Sequence, residues 1–284
     1  MKTLKPGKIS KTFQRPQLRF DPYGVFRASR TPAGLYARKK WLGEENDTVW
    51  KADFDSAVNA LLAGQSQDGS WGGSILQTIH RLFGLHLTIR YPNEPVDKAL
   101  GWLLDIALKK LQCTRRDIAE PFSNKDLRGL PFTPGCSGLL VIGAALFLAT
   151  IFERHGDSRI LAAYGWLNKV GVQRKGRWCG WSCSNNILRA FVVHPKFSKS
   201  RAAVLAVKGL AHAQHSTGRW PVQVPFYQTV NALAHLDLAE AHGQIKKAFE
   251  HLLRTQNRDG TWGKVQKEWN TFLVVHALRN KGLL

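Results

Sequence analysis

Apolar residues recur along this chain at helical spacing, in stretches that come in pairs. Ala57, Val58, Leu61 and Leu62 form one stripe, Ala203, Val204, Val207, Leu210 and Ala211 another, and Ala248, Phe249, Leu252 and Leu253 a third. Steps of three and four residues place each set on one face of an α-helix. A short polar turn follows each stripe, and then a second helical stretch, such as Ile75 to Leu87, Phe226 to Leu238 and Trp269 to Leu278. The pattern predicts five helix pairs. Their first helices are expected near residues 50–64, 95–112, 157–170, 200–214 and 243–256, and their second near 74–87, 136–153, 183–193, 225–238 and 267–280. A shorter helix around Pro32 to Leu42 would belong to a sixth pair. The second pair is joined by a long link, Cys113 to Gly135, that carries Pro121, Pro131 and Pro134; a link of that length is often functional. Residues 1–30 read as a basic N-terminal arm, extended or disordered, and 31–284 as one all-α domain.

The turns repeat as strictly as the helices. Gln65, Gly69 and Trp71 recur as Gln214, Gly218 and Trp220, and as Gln256, Gly260 and Trp262. A copy one residue shorter holds Gln173, Gly176 and Trp178, and Trp178, Trp220 and Trp262 are 42 residues apart. Glycine at that place suits the end of a helix. The Gln-Gly-Trp turn resembles the QW motif of squalene and oxidosqualene cyclases, shared in weaker form by protein prenyltransferase β subunits. The resemblance runs over residues 50 to 284. It implies an α/α toroid of about five to six helical hairpins, with the first helix of each pair outside and the second inside. It also implies that the Gln and Trp residues are scaffold, the Trp packing on the neighbouring repeat and the Gln bracing helix ends.

Charge and composition alter the picture in one respect. The chain carries 41 Lys and Arg against 20 Asp and Glu, a net +21, and eleven of those bases lie in residues 1–40 beside one acid, Asp21. Such an arm suits an anionic membrane or nucleic acid, or serves only as a solvated tail. The longest uncharged apolar run, Leu139 to Ile151, is too short to span a bilayer, which takes about 20 residues, and reads as a helix buried on all sides. With no secretory signal at the start, four cysteines are expected as reduced thiols in the cytoplasm, the protein attaching to membranes peripherally if at all.

Candidate chemistry follows from the repeat. If the second helices stand side by side, their N-termini open toward one mouth, where free N–H groups favour anions. The positions that would meet there are Gln77 and His80; Cys136 and Ser137; Cys179, Cys183, Asn185 and Asn186; Tyr227, Gln228 and Asn231; and Glu268, Trp269 and Asn270. Cys136, Cys179 and Cys183, with His80 or His194 as a fourth ligand, form a set that zinc would accept; small buried cysteines also simply pack well. Cys183 and Glu268 are the candidate catalytic residues, and Gln77, His80, Asn186, Tyr227, Gln228, Asn231 and Trp269 the candidate ligand-binding ones.

The resemblance sharpens the chemistry and limits it. Protein prenyltransferases hold zinc with an Asp, a Cys two residues on and a His in the next repeat. Cys183 matches the Cys, whereas Trp181 stands at the Asp and Gln228 at the His. The acid motifs of the cyclases, Asp-x-Asp-Asp and Asp-Asp-x-x-Asp, are absent. Asp53-Phe-Asp55 is the nearest string and reads as a helix cap. Lanthionine cyclases, also toroids with a Cys-Cys-His zinc site, share only Trp178-Cys179. Three functions remain in view. One is an isoprenoid-binding transferase, cyclase or lyase whose hydrophobic ligand, with or without a diphosphate, fills the central cavity. Another is a zinc-thiolate toroid enzyme of a different class. The third is a non-catalytic module whose basic arm engages membrane or nucleic acid.

Overall fold

The computed structural model describes residues 18–112 and 122–284. Among them are eleven α-helices and no strand. The first helices of the pairs are α2 (Thr48–Leu62), α4 (Glu94–Gln112), α6 (Ser158–Gln173), α8 (Arg201–Ala213) and α10 (Ala239–Arg254). The second helices are α3 (Ile75–Thr88), α5 (Ser137–Ile151), α7 (Trp181–Val193), α9 (Phe226–Ala234) and α11 (Lys267–Asn280), and α1 (Pro32–Trp41) precedes them all. Helix α5, the uncharged run, is buried along nearly its whole length. Packing joins α3 to α1 and α5, α5 to α7, α7 to α9, α9 to α11, and α11 to α1, while α6 meets α8 and α8 meets α10.

The repeated turn explains this regularity. Each indole donates to a carbonyl of the preceding helix or of its cap: Trp71 Nε1 to Ala63 O at 3.1 Å, Trp178 to Leu167 O at 2.8 Å, Trp220 to Leu210 O at 3.0 Å and Trp262 to Leu252 O at 2.9 Å. The tryptophan thereby ties the turn to that helix while burying its ring. The glutamine amide reaches two ways. Gln65 Nε2 donates to Gly69 O in its own turn and to Pro95 O in α4, and Gln214 Nε2 donates to Gly218 O and to Gln244 O in α10. Gly218 has φ +88°, and a Cβ there would lie 2.1 Å from Lys247 O. The turn therefore needs glycine for its backbone conformation and for its approach to α10.

At the Gln256 turn, residues 19–22 take the place that the next pair's first helix takes at the Gln65 and Gln214 turns. Gln256 Nε2 donates to Phe20 O at 3.0 Å, its Oε1 accepts from Arg19 N and Phe20 N, and a Cβ on Gly260 would collide with Asp21 O. A 3-10 turn, Gly24–Phe26, follows, with Phe26 fully buried. The sequence reads residues 1–30 as an extended or disordered arm; of these, residues 18–30 are mostly irregular and pack on the Gln256 turn and α11, and residues 1–17 lie outside the described residues. Several expected free bases are likewise paired. Arg30 and Arg38 both contact Asp53 at 2.8 Å, Arg38 also meets Glu44 at 2.7 Å, and Lys39 sits 5.6 Å from the centroid of the Trp50 ring. Asp53 is therefore an ion-pair partner inside α2. The cap of α2 is Asp47, which accepts from Val49 N and Trp50 N.

Helix α9 ends at Ala234, four residues before the expected boundary, and α10 begins correspondingly early. Leu236 is buried in the turn between them, and its carbonyl accepts from Lys281 Nζ at 2.9 Å. Hydrophobic spacing cannot separate an apolar turn residue from one more helical position.

Candidate metal centre

The thiols converge because two helix starts and one turn meet under the link. Cys136 precedes α5, Cys183 lies in the first turn of α7, and Cys179 sits in the turn before α7. Cys136 N donates to Cys183 Sγ at 3.1 Å, and the sulfurs of Cys136 and Cys179 are 3.6 Å apart. All three sulfurs lie within 4.8 Å of one another, and none is in a disulfide. Neighbouring residues set this geometry. Ser184 Oγ accepts from Trp178 N at 3.1 Å and Cys179 N at 3.5 Å, which holds the Cys179 turn against α7. Gly135 clears the way on the other side, since a Cβ there would lie 2.9 Å from Cys183 Sγ.

The link itself is anchored by Asn186. Its Oδ1 accepts from Thr133 N at 2.9 Å, and its Nδ2 donates to Thr133 O at 2.8 Å. Leu127, Leu130 and Phe132 bury their side chains along the same segment. The described part of the link, from residue 122, thus lies across the second helices and delivers Cys136 to Cys183. Cys113 and Pro121 fall outside the described residues.

Burial pushes the Cys183 thiol up to about 12, so this sulfur stays protonated at neutral pH unless a cation offsets the charge. Cys136 and Cys179 are exposed. The three open onto a hollow of about 610 Å³ bordered by Pro134, Arg177, Trp181 and Gln223. Arg177 places its guanidinium 3.9 Å from the centroid of the Trp181 ring and donates from Nε to Cys179 O at 3.4 Å, setting a positive charge at the rim. The donor set suits a soft tetrahedral ion. Zinc–sulfur bonds of about 2.3 Å separate the sulfurs of a tetrahedron by roughly 3.8 Å, near the distance between Cys136 and Cys179. The cluster could hold a metal such as zinc.

The other expected residues do not join it. His80 Nε2 lies 2.6 Å from Asp126 O, and its ring borders a different hollow of about 420 Å³, together with Phe83, Leu130, Glu268 and Trp269. His80 thus lies outside the group of three thiols. His194 follows α7, eleven residues after Cys183, which is about 16 Å along the helix; there it packs on Tyr164, with ring centroids 4.5 Å apart. Glu268 Oε1 accepts from Ser29 Oγ at 3.0 Å and from Thr31 Oγ1, the residue that caps α1. Its carboxylate ties α11 to α1. Gln77 is exposed at the start of α3, and Tyr227 packs edge-on against Phe226 at 5.3 Å. Asn185 Nδ2 donates to Thr229 Oγ1 at 2.9 Å, and Asn270 Nδ2 to Val265 O at 2.9 Å. The residues expected at one mouth border separate hollows, and different stretches of the same link border that of His80 and that of the thiols.

Sequence reasoning missed Arg189. It is 3% exposed in α7 and donates from Nη1 to Asn231 Oδ1 at 2.7 Å and from Nη2 to Gln228 O at 2.9 Å. Asn231 Nδ2 in turn donates to Leu273 O at 3.1 Å. Residues 189, 231 and 273 are each eleven after Trp178, Trp220 and Trp262, so the 42-residue register held the signal.

The chain matches no protein-family model, and no curated protein is significantly similar to it. Fold and site define it as an all-α protein with a thiol triad that could bind a metal. No helix among the described residues is long and apolar enough to cross a membrane.

Proposed function

We propose that the chain is an α/α-toroid enzyme of the zinc-thiolate kind, with Cys136, Cys179 and Cys183 as protein ligands and one coordination position turned to the hollow. The observation that carries this reading is the meeting of three sulfurs within 4.8 Å from positions 43 and 47 residues apart in sequence. Helix pairing that passes from α1 through α3, α5, α7, α9 and α11 and back to α1 supports the toroid. Zinc held by three ligands supplies a Lewis acid and lowers the pKa of a thiol or water at its open position. The chain's own residues fix the rest. Ser184 and Gly135 set the thiol spacing, Asn186 holds the link, and Arg177 gives the rim a charge that draws an anionic or thiolate substrate.

A second reading rests on the other hollow. Its walls include Phe83, Leu87, Leu130 and Trp269, an apolar lining that favours a hydrophobic, isoprenoid-like ligand.

Metal analysis of the purified full chain separates the two. The expected result is one zinc per chain, lost in Cys183→Ala, with cobalt giving thiolate charge-transfer absorption in its place. Ligand thiols must lose their protons, so affinity should rise as pH is raised. A folded chain that takes up neither zinc nor cobalt would sink the reading, as would an obligatory disulfide between Cys136 and Cys179. A Tm raised by a prenyl diphosphate and unmoved by zinc would put the second reading in its place.

A further inference from the structure

The C-terminal halves and ends of α3, α7, α9 and α11 hold a group of basic side chains that the thiol centre does not use. Arg189 is the deepest. A guanidinium has five N–H donors, and Arg189 spends its bonds on one amide oxygen and one backbone carbonyl, leaving Nε without a partner among the described residues. Its charge meets no carboxylate there. Removing an ion from water without a counter-ion costs several kcal/mol, a cost that an anion reaching Arg189 would offset.

The surroundings supply further basic side chains. Asn231 links Arg189 to His276, whose Nδ1 lies 3.4 Å from Asn231 Nδ2. The ring of His276 is 5.1 Å from that of His235 and 5.9 Å from that of Tyr36, over which Arg90 places its guanidinium at 5.1 Å. His86 lies among Phe83, Phe147 and Phe152, and its Nδ1 also has no partner among the described residues. His235 and Arg90 are exposed and His86 and His276 half-buried, so the group runs from solvent down to Arg189. Lys281 acts on His235 through its charge, and Asp237 acts on Lys281. Burial first, and then the charges of Arg90 and Arg189, hold His276 down at about 4; burial, Arg90 and His276 hold His86 at about 3. Burial and the fields of Arg90 and Arg189 thus keep these imidazoles neutral at pH 7.

We propose that this group is an oxyanion receptor, in which Arg189, flanked by His86, Arg90, His235 and His276, receives a phosphate or carboxylate group of a ligand. Guanidinium pairs with both oxyanions through parallel hydrogen bonds. The site sits away from the three thiols, since Arg189 follows Cys183 by six residues, about 9 Å of helix rise.

The test is thermal unfolding of the full chain in a chloride buffer, titrated with inorganic phosphate or with succinate. One of the two is expected to raise Tm by about 5 °C at saturation, and whichever does so identifies the oxyanion. Succinate binding should be level between about pH 6 and 8, where burial keeps the imidazoles neutral, and weaken as pH rises through about 9, where Arg189 loses its proton. His235→Gln, at the exposed rim, should weaken it about tenfold, and Arg189→Gln should abolish it. Should Arg189→Gln fail to fold, the rim variant and the pH trend decide. Cys183→Ala must keep the response; its loss there would assign the anion to the metal centre and overturn the proposal. No shift with either anion, or an unchanged midpoint in a folded Arg189→Gln, would also overturn it.

Discussion

Glycine at the repeated turn is the sharpest single-residue requirement in the chain. Gly218 combines a left-handed backbone with a contact that leaves no room for a methyl group beside Lys247 O. Gly209, inside α8, has an ordinary helical backbone and nothing within 4 Å of a Cβ built there. Gly218→Ala is expected to cost about 2–3 kcal/mol, whereas Gly209→Ala should be neutral or stabilise by about 0.5–1 kcal/mol. Paired denaturant titrations would check both, and equal effects would refute the argument. This part of the molecule was legible in the sequence because a turn that needs glycine, a buried indole and a two-way amide leaves a fixed spacing behind it. His80 was not legible in the same way. Its place at a helix start put it near a mouth, but only the link's path shows its ring against Asp126 O.

At the scale of elements, the link before α5 decides what the second helices can do. Its proline content marked it as unusual, yet nothing in its sequence tells that Thr133 pairs with Asn186, 53 residues on. That pairing is long-range and leaves no local pattern. Asn186 is fully buried, so Asn186→Leu would strand the N–H and C=O of Thr133 away from water. A loss of about 2–4 kcal/mol is expected, with faster proteolytic cleavage between residues 122 and 135 and weaker zinc binding, since Cys136 depends on the link for its position. Limited proteolysis with and without zinc would test this, and an unchanged cleavage rate would count against the anchor. The convergence of Cys136 with Cys183 was readable because both precede or open helices in successive pairs. The separation of the His80 hollow from that of the thiols was not, because it arises from Leu127, Leu130 and Phe132, apolar residues in a segment without helical period.

For the whole molecule, the buried imidazoles couple stability to pH. His86 and His276 have folded values of about 3 and 4, below the ordinary 6.5, because burial disfavours their charged forms. Between those values the unfolded chain binds more protons than the folded one. The stability they contribute is thus complete above about pH 6.5 and lost as pH falls toward 4. In buffers without oxyanions, Tm should decline over that range, and His276→Phe should flatten the decline; a flat wild-type profile would contradict it. The docking of residues 18–22 on the Gln256 turn has a wider consequence. An open array of hairpins is free to shed its outermost member first and to gain or lose members over time without injury. Here residues 19 and 20 are clasped to the turn after α10 by hydrogen bonds to and from one amide, Gln256. A clasp of that kind is expected to make the described helices come apart as a unit.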